Sequence, residues 1–347
     1  MAEQDASSQP APALVRPVRL GPLALAGNLV LAPMHKRTHL AMRLLARRAG
    51  ASLTHTEMAT PEDLLGRAGP RKGRNLLASE PEDRPLGVQL LPRDAGPLAE
   101  AVALVAARGI ADLIDLNFAC PSKRAVRSGR GADFLRRPQD AVALVEVAVR
   151  ASALAVTLKL RLGFTDSDDD RARAADLARG AAGAGAVAIT LHARSAVQQY
   201  AGRADWPTIA RWAETLPIPV FGSGDLRTPE AVLAMLRETA CAGASIARGA
   251  VGAPWIFRQV LELAARASWD PVTMDERRRA FLDHFEGLVR QYGPEGGVRM
   301  MAQVGRMYTR GIAGAPEARV AIQNARSAED FARIAARWFG GEPQTRA

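Results

Sequence analysis

Eight short apolar runs recur along the chain, at Leu29 to Met34, Ser52 to Met58, Leu86 to Leu90, Leu113 to Phe118, Val156 to Leu162, Val187 to His192, Ile218 to Ser223 and Ala244 to Ala247. Between most of them lie stretches with apolar residues at helical spacing and glycine near the end, such as DAGPLAEAVALVAARG, RPQDAVALVEVAVRAS, DDDRARAADLARGAAGAG and TPEAVLAMLRETACAG. Strands that alternate with helices pair in parallel, and eight such units predict an α/β fold of the (β/α)8 TIM barrel type rather than an open doubly wound sheet. From about Asp270 the alternation gives way to helical patterns alone, in DERRRAFLDHFEGLVRQYG, GGVRMMAQVGRMYTRGI and SAEDFARIAARWFGG. The expected layout is a disordered tail over 1–15, a barrel over 16–268 and a small all-helical domain over 269–347.

Composition narrows the function classes. No apolar run approaches the roughly 18 residues that a membrane span needs, and the start, MAEQDASSQPAPALVRP, lacks the charged-then-apolar layout of a leader. A cytoplasmic protein without a membrane partner is expected. Cys120 and Cys241 are too few and too far apart for a disulfide framework or a metal site. The net charge of +10 points to a polyanionic partner. Only four of the 46 basic residues are Lys, however, an Arg-heavy usage that a GC-rich genome would equally produce.

A barrel of this kind places its chemistry where the strands end. The run ends supply Ala32-Pro33-Met34, Thr56-Glu57-Met58, Gln89, Asn117 with Cys120, Lys159 with Arg161, and His192 with Arg194. A strand-interior lysine such as Lys159 must face the barrel mouth or bear a heavy burial cost. The last two runs end in Gly222-Ser223-Gly224-Asp225 and Ala247-Arg248-Gly249, where glycines let backbone amides approach a phosphate. A phosphate there, with Lys159 and Gln89 within reach of a flat heterocycle, suggests a phosphorylated flavin.

At these residues the chain resembles the tRNA-dihydrouridine synthases. The resemblance runs from Leu29 to Phe339 and is carried by LAPM, TEM, GVQL, the Asn117-to-Pro121 turn with Gly129 and Gly131, LKLRLG, LHARSAVQQYAGRADW, GSGD, ARGAVGAPWIF, YGPEGGVRMM and MYTRG. It implies FMN as cofactor, NADPH as reductant, tRNA as partner and reduction of the C5=C6 bond of a uridine. Cys120 would be the acid that protonates C5; a thiol with an unperturbed pKa of about 8.5 is mostly protonated at neutral pH and can still release its proton. The resemblance also implies flavin contacts from Pro33, Met34, His35, Gln89, Lys159 and His192, with Ser223, Gly224, Asp225, Ala247 and Arg248 at the ribityl phosphate end. Asn117, Lys123, Arg124, Arg161 and Arg194 fall to the RNA side, and Lys123, Arg124, Arg127 and Arg130 would give Cys120 a basic neighbourhood. No metal is implied, and one broad basic surface suffices for a monomer.

The chain departs from the family pattern in four places. After LAPM the family continues with a small residue, Gly and then T-D, where this chain has His35, Lys36, Arg37, Thr38 and His39. Ala119 replaces the Gly of G-C-P, Ser223 replaces an Asn, and Met301 to Val304 replaces a basic run. Two other readings stay open on the sequence: a flavin-binding RNA-interaction protein with weak or no reductase activity, and a free-pyrimidine reductase like the dihydroorotate dehydrogenases.

Overall fold

The computed structural model describes residues 13–67 and 76–340. The chain begins with a hairpin of two three-residue strands, β1 (Val18–Leu20) and β2 (Leu23–Leu25), which turns at Gly21 with a φ of +58°. Leu20 and Leu25 pack on Leu53, Leu113, Ala155, Ala188 and Phe221, residues at or near the starts of barrel strands. This hairpin therefore covers the barrel where its strands begin, and leaves the other end for a site.

Eight parallel strands form the barrel: β3 (Leu29–Leu31), β4 (Thr54–His55), β5 (Leu86–Leu90), β6 (Leu113–Asn117), β7 (Ala155–Arg161), β8 (Ala188–His192), β9 (Val220–Ser223) and β10 (Gly243–Ile246). The ring closes between the third and fourth strands through a parallel bridge from Val30 to Leu53, with the Leu31 amide donating to the Leu53 carbonyl at 3.0 Å. Each of the eight expected runs contains or overlaps one strand. Around them lie α1 (Leu40–Arg48), α2 (Pro61–Leu64), α3 (Ala95–Arg108), α4 (Lys123–Arg127), α5 (Pro138–Ala151), α6 (Asp168–Gly183), α7 (Trp206–Thr215), α8 (Pro229–Thr239) and α9 (Ile256–Arg266). Local chemistry sets their ends: Ser167 and Thr228 accept from the Asp170 and Ala231 amides at the starts of α6 and α8, and Gly109, at φ +60°, stops α3.

The helical part comprises α10 (Met274–Val304), broken at Gly293 with a φ of +74°, then α11 (Ala315–Asn324) and α12 (Ala328–Phe339). Phe281, Phe285, Leu288, Met301, Tyr308, Ile322, Phe331 and Phe339 form its own apolar core. It docks on α1, where a Cβ on Gly287 would lie 2.6 Å from that of Ala41. The same junction buries His39, His284 and Tyr308 in a hydrogen-bonded chain. The Met42 amide donates to His39 Nδ1 at 3.4 Å, so His39 keeps its proton on Nε2 and gives it to His284 Nε2, also at 3.4 Å; His284 Nδ1 lies 2.9 Å from the Tyr308 hydroxyl. Burial, reinforced by the Arg37 charge, pushes His284 down to about 3; burial and its partner His284 hold His39 well below the usual range. Both imidazoles are neutral at physiological pH.

Residues 1–12 of the expected tail fall outside the described residues. Its last residues do not behave as a tail: Leu14 and Val15 pack against the barrel core, and the Leu14 carbonyl accepts from Asn28 Nδ2 at 2.9 Å. Among the described residues, no helix is long and apolar enough to cross a membrane.

Candidate active site

Period-two alternation along β7 turns Thr157, Lys159 and Arg161 inward and Val156, Leu158 and Leu160 outward. The parallel register then stacks inward residues in levels. Gln89, Asp115 and Thr157 share the lowest; Asn117 and Lys159 share the next; Arg161, His192 and Ser223 share the top. The lowest level is saturated by its own bonds, since Asp115 accepts from Gln89 Nε2 and Thr157 Oγ1, both at 2.7 Å. Above it opens a cavity of about 520 Å³, within the roughly 300–1,000 Å³ usual for small-molecule and cofactor sites.

Five hydrogen bonds fix the turn that carries Cys120 on the cavity wall. Asn117 Oδ1 accepts the amides of Ala119 and Cys120 at 3.0 and 2.9 Å, and its Nδ2 donates to Gln89 Oε1 at 2.9 Å. Arg161 Nε donates to the Ala119 carbonyl at 2.9 Å, and the Ala132 amide donates to the Cys120 carbonyl at 3.0 Å. Gly131, at φ +60°, comes so close that a Cβ there would sit 2.7 Å from the Cys120 carbonyl oxygen. This close approach accounts for the glycine. Cys241, by contrast, is 3% exposed and donates to the Gly243 carbonyl, away from the cavity.

Lys159 sits deep in the same wall, and its ammonium makes no hydrogen bond among the described residues. Burial first, then the Arg161 charge, lowers it to about 8, against the opposing pull of Asp115 and Cys120. Burial also brings Arg161 down to about 10, although three of its bonds go to the carbonyls of Ala119, Ser195 and Gln199. His192 is pushed down to about 2 by burial and by the charges of Lys159, Arg161, Arg194 and Arg248. Its Nε2 lies 3.4 Å from Arg194 Nη1. A guanidinium can only donate, so Nε2 accepts and the proton resides on Nδ1.

At the ends of β9 and β10 the backbone itself forms the wall. Gly224 has a φ of +127°, and a Cβ on Gly249 would lie 2.2 Å from the Leu226 carbonyl oxygen. Arg227, Arg248 and Arg310 border this corner, and none makes an ion pair among the described residues. After burial, each is lowered by a neighbouring arginine: Arg248 by Arg227, Arg227 by Arg310, and Arg310 by Arg37. Cations held in mutual repulsion around amides that lack side-chain cover make a site for an anion.

Cys120, Asn117, Arg161 and all the expected flavin contacts, namely Pro33, Met34, His35, Gln89, Lys159, His192, Ser223, Gly224, Asp225, Ala247 and Arg248, line this one cavity. Lys123 and Arg124 stand outside it, exposed on α4. Arg194 is absent from the wall: it is 1% exposed and spends its donors on the Ala201 and Gly202 carbonyls and, at 2.7 Å, on Asp225. Arg130 turns away from Cys120 to the Leu91 carbonyl and Glu62, so the cations facing the thiol are Lys159 and Arg161. The sequence reading missed Arg37, Tyr200, Arg227, Met307 and Arg310, all in the wall. Tyr200 and Arg310 lie inside quoted motifs; Arg227 has no sequence signal.

A family-wide sequence profile described as dihydrouridine synthase (Dus) matches residues 30–337. The chain belongs to the dihydrouridine synthase family. It is 34% identical over 331 residues to a probable tRNA-dihydrouridine synthase of Treponema pallidum, covering 93% of this chain and 96% of that one. Over 303 residues it is 33% identical to tRNA-dihydrouridine synthase B of Pseudomonas aeruginosa, covering 87% and 90%. Among solved structures, this dihydrouridine synthase family member is similar in fold to histamine dehydrogenase from Rhizobium sp. 4-9. That match has a TM-score of 0.56 at 15% identity and covers 80% of this chain and 51% of that one.

Proposed function

We propose that the protein is a tRNA-dihydrouridine synthase that uses FMN, with NADPH as reductant, to saturate the C5=C6 bond of one uridine in tRNA. The observation that carries this reading is the convergence, on one cavity wall, of a rigidly held thiol, an unbonded lysine and an arginine-lined anion corner. The residues fit FMN. Lys159 has donors free for the polar edge of a flat ring, Pro33 and Met34 give it an apolar seat, and the amides after Ser223 with Arg227 and Arg248 suit a phosphate. When bound and reduced, the flavin supplies hydride to C6.

The chain's own residues do the rest. Cys120 Sγ–H delivers a proton to C5; the S–H bond breaks, a C–H bond forms and the electron pair stays on sulfur, facing Lys159 and Arg161. His192, neutral throughout the working range, takes no part as a proton donor and presents only its ring and its Nδ1–H. Arg37 and Arg310 extend the positive rim from the barrel to the helical part, suiting a phosphodiester backbone. The uridine must leave its stack to reach the thiol.

The test incubates purified protein, NADPH and unmodified tRNA, and quantifies dihydrouridine by mass spectrometry. Wild type is expected to carry flavin and form the product; Cys120→Ala should keep flavin and NADPH oxidation but form product about 10² to 10⁴ times more slowly. Product from free uridine monophosphate at the same rate as from tRNA would overturn the RNA substrate. An unaffected Cys120→Ala rate would overturn the acid assignment.

A further inference from the structure

The Cys120 thiol donates to the hydroxyl of Ser122 at 3.4 Å, and no other polar atom bonds to Sγ among the described residues. The same hydroxyl accepts from the Ala125 amide at 3.3 Å as the cap of α4. Pro121 lies between the two residues, and its ring fixes the backbone that sets their spacing. Cys120 itself is tied through Asn117, Arg161, Ala132 and Gly131, so the Sγ-to-Oγ geometry belongs to a fixed frame. A hydroxyl has one donor and two acceptor sites. It can accept from Ala125 and still turn its own proton toward sulfur.

Resting on the reading above, we propose that Ser122 is the positioning residue that serves Cys120 in both protonation states and returns its proton. Before transfer Ser122 accepts from the thiol. After transfer the thiolate is an acceptor only, and the Ser122 O–H rotates to donate to it while keeping its bond to Ala125. The cycle closes when water gives a proton to Oγ as the Oγ–H proton moves to Sγ, leaving hydroxide to the solvent. Ser122 is exposed and can meet water while a nucleotide fills the cavity in front of Cys120. Lys159 and Arg161 contribute field at sulfur, but each is placed by another need, the first toward the cavity and the second on three carbonyls.

The experiment must separate this role from capping. At an N-cap, glycine costs only a few tenths of a kcal/mol relative to serine whereas alanine costs about 1 kcal/mol, so Ser122→Gly removes the hydroxyl with little loss of helix stability. In a Cys241→Ala background, the rate of alkylation by iodoacetamide against pH reports Cys120 alone, with neither tRNA nor NADPH present. Ser122→Gly and Ser122→Ala should both move the half-maximal pH of alkylation up by about one unit, the loss of one hydrogen bond to a charged group. Ser122→Thr should restore it. Dihydrouridine formation should fall about tenfold in both hydroxyl-less variants, with the melting temperature lowered mainly in Ser122→Ala. Wild-type alkylation and activity in Ser122→Gly, with loss confined to Ser122→Ala, would overturn the proposal and leave a simple cap. If the alkylation shift is present while wild-type protein leaves tRNA unreduced, the Ser122–Cys120 link stands and the proposed function fails.

Discussion

Arginines on the outer helices and arginines at the cavity mouth are the same residue under opposite conditions. Outside, Arg48 pairs with Glu82 at 2.8 Å, Arg137 with Asp133 and Asp140, Arg179 with Asp176 and Arg278 with Asp275, all on exposed faces. At the mouth Arg37, Arg161, Arg227, Arg248 and Arg310 have no carboxylate in ion-pair distance among the described residues, and neighbouring guanidinium groups lower them further. The outer pairs are screened and cancel charge locally. The inner ones store unfavourable energy that an anion relieves. The net charge of +10 therefore matters less than where it is left uncancelled.

The largest expected effect concerns salt. If the mouth contacts roughly six or more phosphates, tRNA affinity should fall by orders of magnitude between about 50 and 200 mM salt. Fluorescence anisotropy with labelled tRNA measures it, and a flat response would break the contrast between mouth and shell. Next, removing Arg310, which makes no ion pair among the described residues, should weaken tRNA binding and flatten the salt slope by about one. Replacing Arg179 should leave the slope unchanged.

Lys159 sharpens the comparison from within. Its folded value of about 8 lies below the 10.5 of an unfolded lysine. The unfolded chain thus holds the extra proton between those values, so stability rises with pH across that window and the group is a net cost below it. Lys159→Met should lose flavin on gel filtration, yet raise the melting temperature of the flavin-free protein at pH 7 and abolish the rise between about pH 8 and 10.

The domain junction titrates on the acid side. Unfolded imidazoles protonate near pH 6.5, whereas His284 resists down to about 3. Stability is therefore full above about pH 6.5 and drains as pH falls toward 3. His284→Gln should flatten that decline in a series of urea melts. The smallest effect is expected at the shell: Arg179→Ala should change stability by less than about 0.5 kcal/mol.

The barrel was legible because strand runs and helix faces are local patterns, and Lys159 announced the mouth by being a charge inside a strand. The opening hairpin was not, since VRL and LAL are too short to show a period. Nor was α11, whose sequence APEARVAIQN has only a weak apolar face and few buried residues. Within the site, residue type predicted location better than task. Gln89 and Asn117 reached the cavity, but their amides are engaged with Asp115 and the Cys120 turn. Arg194 became a strut for Asp225 because a partner 31 residues away accepts its charge. Arg310 joins the wall only through the docking of the helical part, a long-range event that no local pattern encodes.

The tethering of the Cys120 turn has a mechanical consequence. A loop whose amides, carbonyls and backbone contour are all held cannot swing its thiol toward a target, so amide hydrogen exchange at Ala119 and Cys120 should be as slow as in the neighbouring strands. Under the proposed reaction all the travel then falls to the RNA, and a uridine already looped out of a helix has the least distance left to cover.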